Sequence, residues 1–210
     1  MEALKRKFIK YAPPVPPLPQ LEPGTKTYKV TWTAAGLTVA GDTRLSYEIK
    51  HVTGFFSSGP EFTLLSLDGA QEPAAATVIG TFDWAMSGKV KMRFPSRDVD
   101  ITYRPLNGSF EAHGGLGRLQ WLATGMDGYE ASWRLSDAEG RVLSLVDVHG
   151  SGEMGTIEIL TVDLPRDAFE EVLLSSLVQI EDNRRMWRNS RKSIIAVGVS
   201  SAGLAAGSLS

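Results

Sequence analysis

"FEEVLLSSLVQIEDNRRMWRNS", residues 169–190, reads as a helix, and it follows a long stretch that reads almost entirely as strand and turn. Its middle section, "VLLSSLVQI" (172–180), carries no charge on any side. Taking Phe169 as zero at 100° per residue, Val172, Leu173, Leu174, Leu177, Val178 and Ile180 spread over an arc about 240° wide. Ser175, Ser176 and Gln179 fill most of the remainder. A helix lying on a sheet needs an apolar stripe of only about 100°. One that is apolar nearly all round belongs at the centre of something, and here only strands are available to enclose it. The expectation is a closed antiparallel β-barrel of about 11–12 strands around a C-terminal helix over about residues 167–190. The nine uncharged residues span about 13.5 Å, a sensible depth for a barrel interior. Asp167 is placed as the N-cap, with Glu170 three positions on to complete a capping box. Glu170 and Glu171 at the start, and Arg184, Arg185 and Arg188 near the far end, suit the helix dipole.

The strands announce themselves by period-two alternation. Val90, Met92 and Phe94 alternate with Lys89, Lys91 and Arg93, and Val99, Ile101 and Tyr103 repeat the pattern. One buried face and one wet face is the mark of antiparallel sheet. Similar runs occupy 28–32, 37–40, 45–52, 61–67, 77–84, 89–94, 98–104, 118–124, 129–135, 141–148 and 155–162, with "DG", "SG" and "NG" turns between them. Ahead of them lies "YAPPVPPLPQLEPG" (11–24), whose prolines fix φ and remove amide donors, so it is an extended arm and not sheet. The organisation expected is therefore a basic, proline-rich arm (1–24), a β-barrel with its central helix (25–190), and a Ser/Gly/Ala-rich tail (191–210).

The formal net charge of −2 conceals an uneven layout. Lys5, Arg6, Lys7 and Lys10 crowd one end, and Arg184, Arg185, Arg188, Arg191 and Lys192 crowd the other, around a middle that is acidic on balance. Cysteine is absent, which removes disulfides, thiolate metal sites and cysteine nucleophiles. No apolar run near the first residues is long enough for a secretion signal, so the expected compartment is the cytoplasm.

An all-β domain that ends in a greasy helix and then an arginine cluster resembles the tubby C-terminal-like superfamily, which includes tubby proteins, phospholipid scramblases and LURP-one-related proteins. The chain is similar in particular to fungal tubby-like proteins of unassigned function. The residues that carry the resemblance are "GTFDW" (80–84), "MDGYEASWRL" (126–135) and "FEEVLLSSLVQIEDNRR" (169–185), and it spans roughly residues 25–190. It implies a barrel with a central helix, and phosphoinositide recognition as in some relatives.

Catalytic signatures are weak. "GSGEMG" (150–155) has the spacing of a dinucleotide loop but precedes a strand, where such a loop must open a helix. His51, His113 and His149 lack partners at metal-ligand spacing, and no metal or cofactor is expected. Asp147 with His149 forms a possible acid–base pair of a kind common by chance. Asp98 and Asp100 read as the polar side of a strand in preference to a cation site. Trp84, Trp121, Trp133, Tyr103 and Tyr129 recur within strands and read as core in preference to a base-stacking platform, so nucleic acid is not an expected partner.

The function expected is a non-enzymatic binding module that visits anionic membrane surfaces or phosphoinositides. Arg184, Arg185, Arg188, Arg191 and Lys192 would make the contact, helped by Lys5, Arg6, Lys7 and Lys10. The alternative is a protein-interaction scaffold, in which Lys10, Pro13 and Pro16 of "KYAPPVP" offer a polyproline ligand to an SH3 or WW partner. Scramblase-like lipid transport is the weakest reading. The uncharged tail from Ser193 to Ser210 imitates a membrane segment but is rich in Ser and Gly, and a flexible tail is expected there.

Overall fold

The structure is a computed structural model that describes residues 25–33, 36–41, 46–51, 62–66, 77–85, 87–105, 107–127, 130–149, 154–160 and 164–205. Among the described residues twelve strands precede one helix. They are β1 (Lys26–Thr33), β2 (Gly36–Gly41), β3 (Ser46–His51), β4 (Phe62–Ser66), β5 (Thr77–Trp84) and β6 (Val90–Phe94), then β7 (Val99–Tyr103), β8 (Ser109–Ala112), β9 (Gly117–Asp127), β10 (Glu130–Ser136), β11 (Val142–His149) and β12 (Met154–Ile159). The helix, α1, runs over Arg166–Ala205. It therefore continues past the expected end near residue 190. After Pro165 the chain holds no proline, and an occasional glycine costs only about 1 kcal/mol in a helix.

The strands form one antiparallel sheet in the order β7-β6-β5-β4-β3-β2-β1-β12-β11-β10-β9-β8. The first and last strands pair, Tyr28 opposite Ile157, so the two ends of the sheet in sequence meet in its middle. Register shifts in the β4–β5, β9–β10 and β10–β11 ladders add local twist and help the sheet to curl. It curls around α1. Leu174 meets Gly80 on β5, while Ser176 meets Ser144 on β11, and these two helix positions lie about 160° apart around the axis.

The expected closed barrel is not formed. The sheet's edges are β7 and β8, which are consecutive in sequence yet share no ladder. Side chains fill this seam where backbone bonds would otherwise run: the Tyr103 and Phe110 rings sit 4.8 Å apart, centroid to centroid. The Gly108 carbonyl, at the head of β8, already accepts from the Trp121 N–H on the other side (2.9 Å). The four-residue β8 is also the strand that the alternation misses, because Phe110 is its only large apolar residue.

Every helix position from Ala168 to Glu181 is buried, including Ser175, Ser176 and Gln179 at 0% exposure. The serines turn their hydroxyls inward, both donating to the Val172 carbonyl (3.0 and 2.7 Å). The wall is thinned where the helix presses on it. A Cβ on Gly114 would fall 2.5 Å from the Ala168 Cα, and one on Gly80 would fall 2.8 Å from Leu174 Cδ2.

The start of α1 is fixed by charge. Glu171 is wholly buried; its Oε1 accepts from Arg97 Nη1 (2.9 Å) and its Oε2 from the His113 backbone N–H (2.8 Å). Arg97, in the β6–β7 turn, also stands 3.5 Å from Glu170, donates to the Asp167 carbonyl and covers the Phe94 ring at 4.4 Å. The next residue, Asp98, completes that turn in the left-handed region with φ 53. Glu170 is thus drawn to Arg97 and Arg166 (2.9 Å) in place of the expected capping box with Asp167.

Two stability outcomes are expected. Leu177→Asp places an unpaired charge inside the sheath and should abolish cooperative unfolding followed by tryptophan fluorescence in urea; a variant that still unfolds cooperatively with a near-native midpoint would place the helix outside. Arg97→Ala strands the buried Glu171 carboxylate and should lower stability by about 3 kcal/mol. Arg141→Ala, removing a largely exposed partner of Asp137, should lower it by less than about 1 kcal/mol.

Candidate functional site at the helix exit

Strand direction sets the two ends of the sheath. The helix enters beside the β6–β7 and β8–β9 turns and leaves beside the end of β5 and the start of β6. At the exit, Trp84 lies edge-on to Phe62 and Phe82, with ring centroids 5.4 and 5.3 Å away. The Arg185 guanidinium sits over the Trp84 ring at 5.0 Å, a cation–π arrangement. Arg184 faces the nearly buried Glu181 at 3.8 Å.

Between these side chains lies Asp182. Burial pushes its carboxyl above the ordinary carboxylate value, and the Trp84 side chain and the Arg185 charge offset this only in part. Its neighbour Tyr103 is fully buried. Burial first, and the Asp182 charge second, hold its phenol well above the usual value, with Gln179 opposing. The Tyr103 hydroxyl donates to the Ser175 carbonyl at 3.4 Å.

Arg184 and Arg185 are therefore part-buried and committed to partners within the chain. Arg188, Arg191 and Lys192 stand on the helix beyond, with their side chains outside the described residues. At 100° per residue, positions 184, 185, 188, 191 and 192 fall within an arc of about 120°. Met186, Trp187 and Ile194 fall on a separate arc of about 100°. The helix continues for about 22 residues, or about 33 Å, past Asn183, the last wholly buried position among the described residues. Among the described residues no helix is long and apolar enough to cross a membrane.

The other sequence candidates are dispersed. Lys5, Arg6, Lys7, Lys10, Pro13 and Pro16 lie outside the described residues, as do Tyr129 and residues 150–153 of "GSGEMG". Asp147 accepts from the Ser132 hydroxyl across the β10–β11 ladder (2.5 Å), while His149 ends β11 exposed. Asp98 stands in a turn and Asp100 on β7 pairs with Lys91, so the two do not share a strand face. Trp121 and Trp133 are core residues. Among the described residues no three His, Asp or Glu side chains gather as a metal site.

No family model, curated protein or solved structure matches this chain.

Sequence reading missed Arg97 and the Asp182–Trp84–Arg185 corner. Glu171, at a helical angle of about 200°, falls just outside the apolar arc and so gave no sign of its burial or of its need for a cation. Nothing local to Arg97 marks it as that cation.

A pH outcome tests the corner. With its folded-state pKa raised, Asp182 holds its proton more tightly in the folded chain than in the unfolded one. Ionisation therefore lowers stability above the folded pKa, and this penalty fades as pH falls through that pKa towards the unfolded value. Asp182→Asn should raise the urea midpoint near neutral pH and leave it unchanged in acid below the carboxylate range; a lower midpoint at neutral pH would mean that the Arg185 attraction outweighs burial.

Proposed function

We propose that this chain is a non-enzymatic, cytoplasmic binding module of the tubby-like kind, which associates with anionic membrane surfaces through the helix that leaves its sheet. The observation that carries the reading is the stripe formed by Arg184, Arg185, Arg188, Arg191 and Lys192 on one continuous helix. A helix with a basic face and an adjoining apolar face that includes a Trp is suited to the headgroup region. The curled twelve-strand sheet around a C-terminal helix supports the tubby-like resemblance, although its seam is open. That resemblance makes phosphoinositide headgroups the favoured anion.

The magnitudes fit a reversible visitor. Each basic residue near an anionic leaflet contributes about 1 kcal/mol. Arg184 and Arg185 are partly engaged by Glu181 and Trp84; Arg188, Arg191 and Lys192 by themselves would contribute roughly 3 kcal/mol, enough for about a hundredfold preference over neutral lipid.

Co-sedimentation with vesicles across a salt series tests the reading. Binding to anionic vesicles that weakens with salt and is lost in the Arg188→Ser, Arg191→Ser, Lys192→Ser variant is the expected result. Salt-insensitive binding lost only when the chain is ended after Lys192 would make the tail an insertion anchor. Absence of binding to any anionic vesicle would shift the function to partner capture by the proline-rich arm.

A further inference from the structure

The corner of the sheath beside Arg185 carries two further cations. Lys89 closes the β5–β6 turn, its carbonyl accepting from Ala85 N–H (2.8 Å) directly after Trp84. Val90 and Tyr103 are register partners, so Lys89 and Arg104 stand opposite each other one step beyond the last pair of the β6–β7 ladder. Both are exposed, and among the described residues neither is held in an ion pair. Elsewhere on the wall the pattern differs: Lys91 and Arg93 share Asp100, and Arg141 is matched to Asp137. Among the described residues Lys89 and Arg104 thus have no acidic partner at the exit, while Lys91 and Arg93, two and four residues along from Lys89, are neutralised within the chain. The opposite side of the exit end carries acid, with Glu130 exposed at the start of β10.

Resting on the membrane reading above, we infer that Lys89 and Arg104 belong to the same contact as the helix stripe, so that the molecule meets an anionic lipid surface with its exit end, tilted onto the β5–β7 corner. The helix stripe supplies one line of positive charge and the two loops supply a second, on the far side of Arg185. Two lines fix an orientation where one would leave the body free to swing about the helix. The β9–β10 side then faces away from the lipid, which removes Glu130 from a like-charged surface.

The test uses the full chain and vesicles of phosphatidylcholine with phosphatidylserine. Lys89→Gln and Arg104→Gln should each weaken binding about fivefold, and the double variant about thirtyfold. Arg118→Gln, exposed near the opposite end, should leave binding unchanged. Unchanged urea midpoints for the single variants confirm that the fold is intact, as expected for exposed side chains. Full binding by the double variant, alongside loss of binding in the Arg188→Ser, Arg191→Ser, Lys192→Ser variant, overturns the docking corner and spares the helix reading. A parent chain that binds no anionic vesicle overturns both.

Discussion

Enclosure of α1 on every side is the constraint to which the rest of the structure answers. Seven apolar side chains between Phe169 and Ile180 are buried. At about 1.5–3 kcal/mol each they contribute roughly 10–20 kcal/mol before entropy, as much as the whole net stability of an ordinary domain. The wall is shaped to receive them. Gly80, Gly114 and Gly155 stand where the helix comes close, and Trp121, Trp133, Tyr103 and Phe110 fill the side where it stands further off. A sheet alone would present an apolar concave face with nothing to cover it, and a helix alone would present an apolar cylinder. Each is the other's solvent.

Apolar packing does not fix how far the helix is inserted, because a greasy cylinder slides easily in a greasy sleeve. Charge does. A slip of one residue moves α1 about 1.5 Å and turns it about 100°, which would take Glu171 away from both Arg97 and the His113 amide. A buried carboxylate without partners is far more expensive than a displaced leucine. Arg97 therefore sets the depth of insertion, and through it the residue at which the helix emerges and the height of its basic stripe above the rim.

Much of this was legible in the sequence, and for identifiable reasons. Eleven strands were visible because a two-sided sheet leaves a period-two record, as in Val90, Met92 and Phe94. The enclosed helix was visible because its apolar arc is too wide for a surface position. What escaped has no local record. Whether β7 and β8 close a ladder depends on how Tyr103 and Phe110 pack across the seam, which neither strand's own pattern specifies. Likewise, Glu171 and Arg97 are separated by more than 70 residues, so their pairing appears only once the fold brings the β6–β7 turn to the helix start. Of the five cations in the helix stripe, the sequence treated all as equal. The structure shows two of them, Arg184 and Arg185, already occupied at the rim.

The pairing of β1 with β12, and the position of α1 after both, has a consequence for how the molecule comes into being. During synthesis all the strands are made before the element that fills them. The inner faces of β5, β6, β9 and β10, with Phe82, Met92, Trp121 and Trp133, have no permanent partner until the helix has left the ribosome. Contacts between distant parts of a chain form slowly, and unpaired strands with apolar faces are the species most prone to aggregate. A nascent chain of this protein thus carries a sticky, half-built sleeve until α1, made after the strands it fills, emerges to cover their inner faces.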